Sequence, residues 1–299
     1  MILIRPMPVN DAVLTASNIP ETDYTAWAVG TTYALGDRVR VVGANVHQVY
    51  ESLQAANTGH DPAASATWWL AVGATNRWQL FDPSITSQAA NPDSIDVTLA
   101  CTGRVDSIAL LNIAAASVRI IMTDAVDGVV YDKTHGLASD SGVRDWHAYF
   151  YEPIARKQDF VATDLPPYHA PTLRIILSDA GNTVLCGALV VGFKKQIGGT
   201  QYGVKLGIQD YSVKTRDAFG NYTVLQRAFS KSASFSLLVD ALFVDELHVL
   251  LSAYRATPIV YIGSDQYGAT IIYGFYKDFG ITLAYPTQSL CTLNIEGLT

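Results

Sequence analysis

Residues 117–134 read SVRIIMTDAVDGVVYDKT, two runs of β-branched and aliphatic residues on either side of Asp127–Gly128. An Asp-Gly pair supplies the positive-φ positions of a tight turn, so the stretch predicts a β-hairpin. Working outward, SIDVTLAC (94–101) alternates apolar and polar residues, as a half-buried strand does. LRIILSDAGNTVLCGALVVGF (173–193) predicts a second hairpin, turning at Gly181–Asn182. A third is predicted where VKLGIQDYSVKT (204–215) and YTVLQRAFSKSASFSLLV (222–239) flank the turn Asp217–Asn221. Repeated hairpins joined by loops argue for antiparallel sandwiches.

One helix interrupts this pattern, over residues 244–255. Leu247, Leu250, Leu251 and Tyr254 fall at the i, i+3, i+4, i+7 spacing of one apolar face, and Pro258 limits its extension. Short strands follow in PIVYIGS, ATIIYGFY, FGITLAY and SLCTLNIEG. At the other end, residues 1–20 carry Pro6, Pro8 and Pro20 with little periodicity, and read as an extended arm able to lie along a neighbouring subunit. Residues 21–76 are rich in aromatics and turn formers, with short strands DRVRVV and VHQVYESL, and read as a small β module. A β-sandwich over 77–197 and a C-terminal assembly domain over 198–299, β with one helix, complete the organisation.

The chain has 299 residues, of which 49% are hydrophobic and only 16% charged, against roughly 25% charged in an average soluble domain. So little charge suits a chain that hides surface in a homo-oligomer. The net charge is −7, and no basic cluster exceeds Lys194–Lys195. A phosphate-tracking groove needs concentrated positive charge, so nucleic acid is not an expected partner. Cys101, Cys186 and Cys291 are far apart in apolar, strand-like contexts and read as small core residues rather than a disulfide framework. The N-terminus lacks the pattern of a secretory signal. The longest apolar stretch, IALLNIAAASVRIIM, is broken by Asn112 and Arg119 and falls short of a ~20-residue span. The expectation is a protein made in a cytoplasm that does not insert into a membrane.

None of the six histidines sits in an HExxH or comparable ligand spacing. His135, Asp140, Asp145 and His147 share one loop-like stretch, a loose mixture of metal-ligand types that the sequence alone does not raise to a site. DAVDGVVYD lacks the alternating oxygen ligands of a calcium loop. Neither a GxSxG elbow nor a P-loop is present. The reading is a non-catalytic chain without cofactor or metal. One constellation suggests a ligand: Trp27, Tyr33, Tyr50, Trp68 and Trp69. Flat aromatic faces stack on sugar C–H surfaces, which makes these five the candidate carbohydrate-binding residues. The competing reading is structural, because so small a module has little aliphatic material and must build its core from aromatics.

Residues 26–69 resemble the small chitin-binding-type carbohydrate modules of bacterial chitinases. The shared pattern falls on Trp27, Tyr33, Gly36, Asp37, Val39, Tyr50, Gly59, Pro62 and Trp68. The chain departs from it at His47, near which the family often carries another aromatic. The middle third resembles a galactose-binding-like jelly roll, with RWQLFDPS, SIDVTL, SIALLNI, SVRIIM, TLRIILSD and CGALVVG in that fold's order. That likeness implies a ligand-facing loop near Trp146 and Tyr149. Such modules also occur in bacteriophage tail proteins, and the whole, ending in SLCTLNIEGL, resembles tail-tip or baseplate proteins of long-tailed phages. The resemblance implies a virion protein of the tail, assembled in the host cytoplasm. It would form a ring, dock other tail or baseplate proteins, and hold a host glycan at its periphery. The alternative is a free carbohydrate-binding protein of a cell surface or secreted system. The fold class expected is mainly β: the small module, a jelly-roll-like antiparallel sandwich, and a C-terminal β-sandwich with one flanking helix.

Overall fold

The axis of the molecule is a single strand, Thr172–Gln196, along which most of the other sheet elements are strung. In the computed structural model, which describes residues 1–139, 143–264 and 266–299, the protein is mainly β and its large sheet is antiparallel. The first half of the axial strand lies between Ala89–Ala100 and Ser117–Asp124, with Ile175 opposite Val97 on one side and Ile120 on the other. Its second half pairs with Ser107–Ala114 and then with Ile2–Pro6.

This corrects the hairpin expected at Gly181–Asn182. The chain does not turn there; it bulges, and the pairing with Ala89–Ala100 shifts between Ser178 and Thr183. Gly181 does take a positive φ of 80°, but its N–H donates to the Asp93 carboxylate at 2.7 Å. Asp93 is itself at φ 63° and follows Pro92, so both strands kink together. A bulge and a turn ask for the same local glycine. What decides between them is a partner strand long enough to pair on both sides of the irregularity. The hairpin at Asp127–Gly128 does form, between Ser117–Asp124 and Gly128–Gly136. Gly128 is at φ 73°, and the Asp124 carboxylate accepts the N–H groups of Val126 and Asp127.

Residues 1–20 are extended, yet the beginning of this segment is interior rather than laid on a neighbour. Ile2–Pro6 pairs with Gly192–Gln196 on one edge and with the strand Ile259–Ile262 on the other. Leu14–Ser17 pairs with Ala89–Ala100. The N-terminal strand therefore fuses the two larger units into one hydrogen-bonded sheet. The proline-punctuated sequence concealed this, because Pro6 lies at the strand's end, where a missing N–H costs the ladder least.

Three apolar clusters follow from this layout. One fills the jelly-roll-like unit and includes Val97, Leu99, Ile108, Ile120 and Ile175. A second fills the C-terminal unit with Leu3, Phe235, Leu251, Tyr261 and Leu293. The third, around Ile4, Ala109, Val190, Val260 and Ile271, lies at the seam between them. The C-terminal sheet runs through Ile259–Ile262, Ile271–Thr282, Gln288–Gly297 and Phe229–Asp240. FYKDFG does not separate two strands: Ile271–Thr282 is one strand with an irregularity between Tyr276 and Asp278.

The flanking helix is Val244–Ala253, and its expected face is the one that packs. Leu247, Leu251 and Tyr254 are buried, and the Tyr276 hydroxyl donates to the Leu251 carbonyl at 2.9 Å. A short second helix, Trp146–Tyr151, was not legible as a periodic face, being under two turns long; the Asp145 carboxylate caps it by accepting the Ala148 N–H at 2.8 Å.

All three cysteines are buried and free. Burial pushes the thiols of Cys101 and Cys186 up to about 12 and that of Cys291 to about 11. Since the thiolate is the nucleophile, alkylation at pH 8 should proceed only as fast as the protein opens. Fast labelling of the native chain, with no added denaturant, would show that these strands are not the stable core.

Candidate functional site

The small module has its own four-stranded sheet, in the order Thr25–Ala26, Arg38–Gly43, Val46–Ser52 and Trp69–Ala74. Its five candidate aromatics all meet in one cluster around Val39. Tyr33 and Trp69 are interior, 7% and 2% exposed, with ring centroids 5.2 Å apart in an edge-to-face pair. Their polar ends are spent on backbone: the Tyr33 hydroxyl accepts the Ala28 N–H at 2.8 Å, and Trp69 Nε1 donates to the His60 carbonyl at 2.9 Å. Trp27, Tyr50 and Trp68 are half-buried against this pair. Trp68 has a face covered by the His60 ring, stacked at 3.8 Å, and His60 is held through Nδ1 by Asn57 at 3.0 Å. The geometry therefore divides the set. Tyr33 and Trp69 build the core, and a sugar can reach only the parts of Trp27, Tyr50 and Trp68 left in solvent.

His47, the departure from the aromatic pattern, joins the module to the rest of the chain. Its Nε2 is 2.6 Å from an Asp11 carboxylate oxygen and its Nδ1 is 2.7 Å from Glu21. The imidazole stacks on Trp78 with centroids 4.3 Å apart. Around it, Asn45 N–H donates to Asp11, Thr75 hydroxyl to Glu21, and Asn76 N–H to Asp23. Entry and exit of the module are thus held side by side by polar contacts. Replacing residues 24–74 with a short Gly/Ser linker should leave the two larger units folded, because both retain their own apolar clusters. Circular dichroism and a thermal melt check this; an aggregated product from a chain that is soluble at full length would place the module in the common core.

The loop implied by the jelly-roll likeness carries Trp146 and Tyr149 on the short helix, 77% and 65% exposed, in edge-to-face contact at 6.2 Å. His147 packs on Tyr151 and His135 on Phe160, while Asp145 is the helix cap. Asp140 lies outside the described residues. Among the described residues no group of three or more metal-ligand types converges, and no helix is long and apolar enough to cross a membrane.

An exposed, unpartnered set of strands lies on the C-terminal unit. Lys205–Asp210 pairs along one edge with Phe229–Ser234, and its other edge has no strand among the described residues. Beyond that sheet the chain continues as Val213–Arg216 and Tyr222–Leu225, which pair only with each other. The tip is closed by Asp217, whose carboxylate accepts from Phe219 N, Asn221 N and the Asn221 amide. The Asn221 side chain and backbone hold the Asp217 carboxyl below its usual range. Every residue of these three strands is exposed. Opposed residues share a face, so Val213 and Leu225 lie on one side, Tyr222 and Val224 on the other. Ile208 is 65% exposed and Phe219 92%. The sequence announced the hairpin but not that both its faces lack a core; the available signal was the absence of a consistently polar face in YSVKTRDAFGNYTVLQRAF.

The chain matches no family model and no curated protein sequence.

Proposed function

We propose that this chain is a structural component of a phage tail tip or baseplate, forming a ring and docking neighbouring tail or receptor-binding proteins. Its working mechanism is burial of surface rather than chemistry. The observation that supports the reading is the projecting hairpin 205–229. A two-stranded ribbon is marginal in water by itself, and one with apolar side chains on both faces and an open edge is a template for a partner. The low charge of the chain agrees with that role. The small module, attached by polar contacts, offers a peripheral position for glycan binding through Trp27, Tyr50 and Trp68. The proposal implies a virion location, with assembly in the host cytoplasm.

Sedimentation and electron microscopy of the full chain test it. The expected result is a closed homo-oligomer that loses its association when the hairpin is removed. A full-length chain that stays monomeric at tens of micromolar and binds glycan would replace this reading with that of a free carbohydrate-binding protein. Steady turnover of a polysaccharide, abolished by one Asp or Glu substitution, would overturn the non-catalytic part of the proposal.

A further inference from the structure

The seam between the jelly-roll-like unit and the C-terminal unit holds a cavity of about 250 Å³. Ile85, Leu111, Phe229, Ile271 and Leu298 give it apolar walls, and Asp159 and Lys231 border it as an ion pair. Small-molecule pockets span about 300–1,000 Å³; this one is nearer the size of a single large side chain. Its lip is already fixed. Asn112, at a positive φ of 50°, donates through Nδ2 to the Ile85 carbonyl at 2.8 Å and through its N–H to the Asp159 carboxylate at 3.1 Å. Gly187 packs under the same Ile85 carbonyl so closely that a Cβ would come within 2.2 Å of it. Backbone strain of the Asn112 kind gathers at functional sites, and a held socket loses little freedom on being filled.

The hairpin tip carries a side chain of the matching kind. Phe219 is 92% exposed on a closed turn, where the Asp217 carboxylate accepts the N–H groups of Phe219 at 2.9 Å and Asn221 at 2.8 Å. An aromatic ring held outward in this way has the form of an interface anchor. Within one chain the two do not meet. Phe229, beyond the foot of the ribbon, lines the cavity, but no residue from 211 to 228 does. The ribbon's four residue pairs carry the tip roughly 13 Å from its base, at about 3.3 Å per residue. Charge also matches across the two surfaces. Beside the tip, Arg216 lies over the Tyr222 ring and has no carboxylate partner among the described residues. Asp82, in the loop that carries Ile85 and Thr86, has no basic partner among them. Opposite charges so placed favour one register of docking.

We propose that the seam cavity is the socket for Phe219 of a second copy of this chain, so that assembly runs head to tail. The inference rests on the assembly reading above and names the surface that receives the hairpin. A tip-to-seam contact joins two unlike surfaces, and repeating it about an axis closes a ring.

Complementation of two defective full-length chains tests this by sedimentation. Phe219→Asp spoils the tip, and Thr86→Trp obstructs the mouth of the socket; both positions are exposed, so both melts should match the parent. Each variant alone should associate at least about tenfold more weakly than the parent, the scale of one anchor side chain left unburied. Gln158→Trp, at another exposed position on the mouth, should repeat the Thr86→Trp result. Mixed in equal amounts, Phe219→Asp and Thr86→Trp should form a 1:1 dimer that grows no further, because one intact tip meets one open socket. If the parent associates and both mouth variants associate equally well, the socket is wrong and the hairpin reading survives. If Phe219→Asp and Thr86→Trp each lose association but the mixture stays monomeric, the tip does not enter the seam and the inference falls. A parent that never associates removes the assembly reading and this inference together.

Discussion

Removal of residues 1–7 is expected to leave a chain that cannot fold cooperatively. Ile2–Pro6 is paired on both edges, and its loss strips partners from Gly192–Gln196 and Ile259–Ile262 at once. The side chains go in opposite directions. Leu3, 1% exposed, enters the C-terminal cluster, while Ile4, fully buried, enters the seam. Each such side chain contributes about 1.5–3 kcal/mol through burial, and the two newly opened strand edges would face water or another chain. Against a total stability of about 5–15 kcal/mol, the combined loss is decisive. Single changes grade the claim. Ile4→Ala should cost about 2–5 kcal/mol, and Ile4→Asp should be worse, because it leaves an unpaired charge in the seam. Gly192→Val attacks the same pairing from the other side, since a Cβ there would lie 1.9 Å from the Arg5 carbonyl oxygen. Thermal melts by circular dichroism read all of these. A truncated chain with the parent's melting point would show the strand to be dispensable.

Strand composition, turn chemistry and the helix face were visible because each is local: Asp127–Gly128 needs no partner to be recognised, and Leu247, Leu251 and Tyr254 announce their face by spacing alone. The N-terminal strand was not visible, because five residues ending in proline carry no periodicity, and its two partners lie some 190 and 260 positions away in the chain. The same limit explains Gly181, where the local residues fit a turn and a bulge equally and a remote strand makes the choice. In the small module the composition located the aromatic cluster, but only packing could separate Tyr33 and Trp69, inside it, from Trp27, Tyr50 and Trp68 at its surface. His47 gave no warning at all. Its role depends on Asp11, Glu21 and Trp78 arriving together from three places in the sequence.

The projecting hairpin supplies the second large effect, this time on association rather than folding. Asp210 and Phe229 are directly opposed, so residues 211–228 can be replaced by an Asn-Gly turn that closes the same ladder. Nothing in the excised segment belongs to an apolar cluster. The melting point should therefore move by only about 2–4 °C, the scale of a change near 1 kcal/mol in a domain of this size. Self-association should fall far more. Burying an aliphatic or aromatic side chain at an interface is worth about 1.5–3 kcal/mol, and about 1.4 kcal/mol is a factor of ten, so losing Tyr222, Val224 and Leu225 together should weaken association at least about 100-fold. Val224→Glu alone should give a large part of that loss, as a carboxylate entering an apolar contact without a partner. Val126→Glu is the control: Val126 is 90% exposed at the tip of a different hairpin, and a charge there should change neither quantity. Sedimentation over a concentration series separates the outcomes. If the excised chain associates as tightly as the parent, the hairpin is not the docking element, and the open edge of Lys205–Asp210, which the excision leaves in place, becomes the surface to alter next.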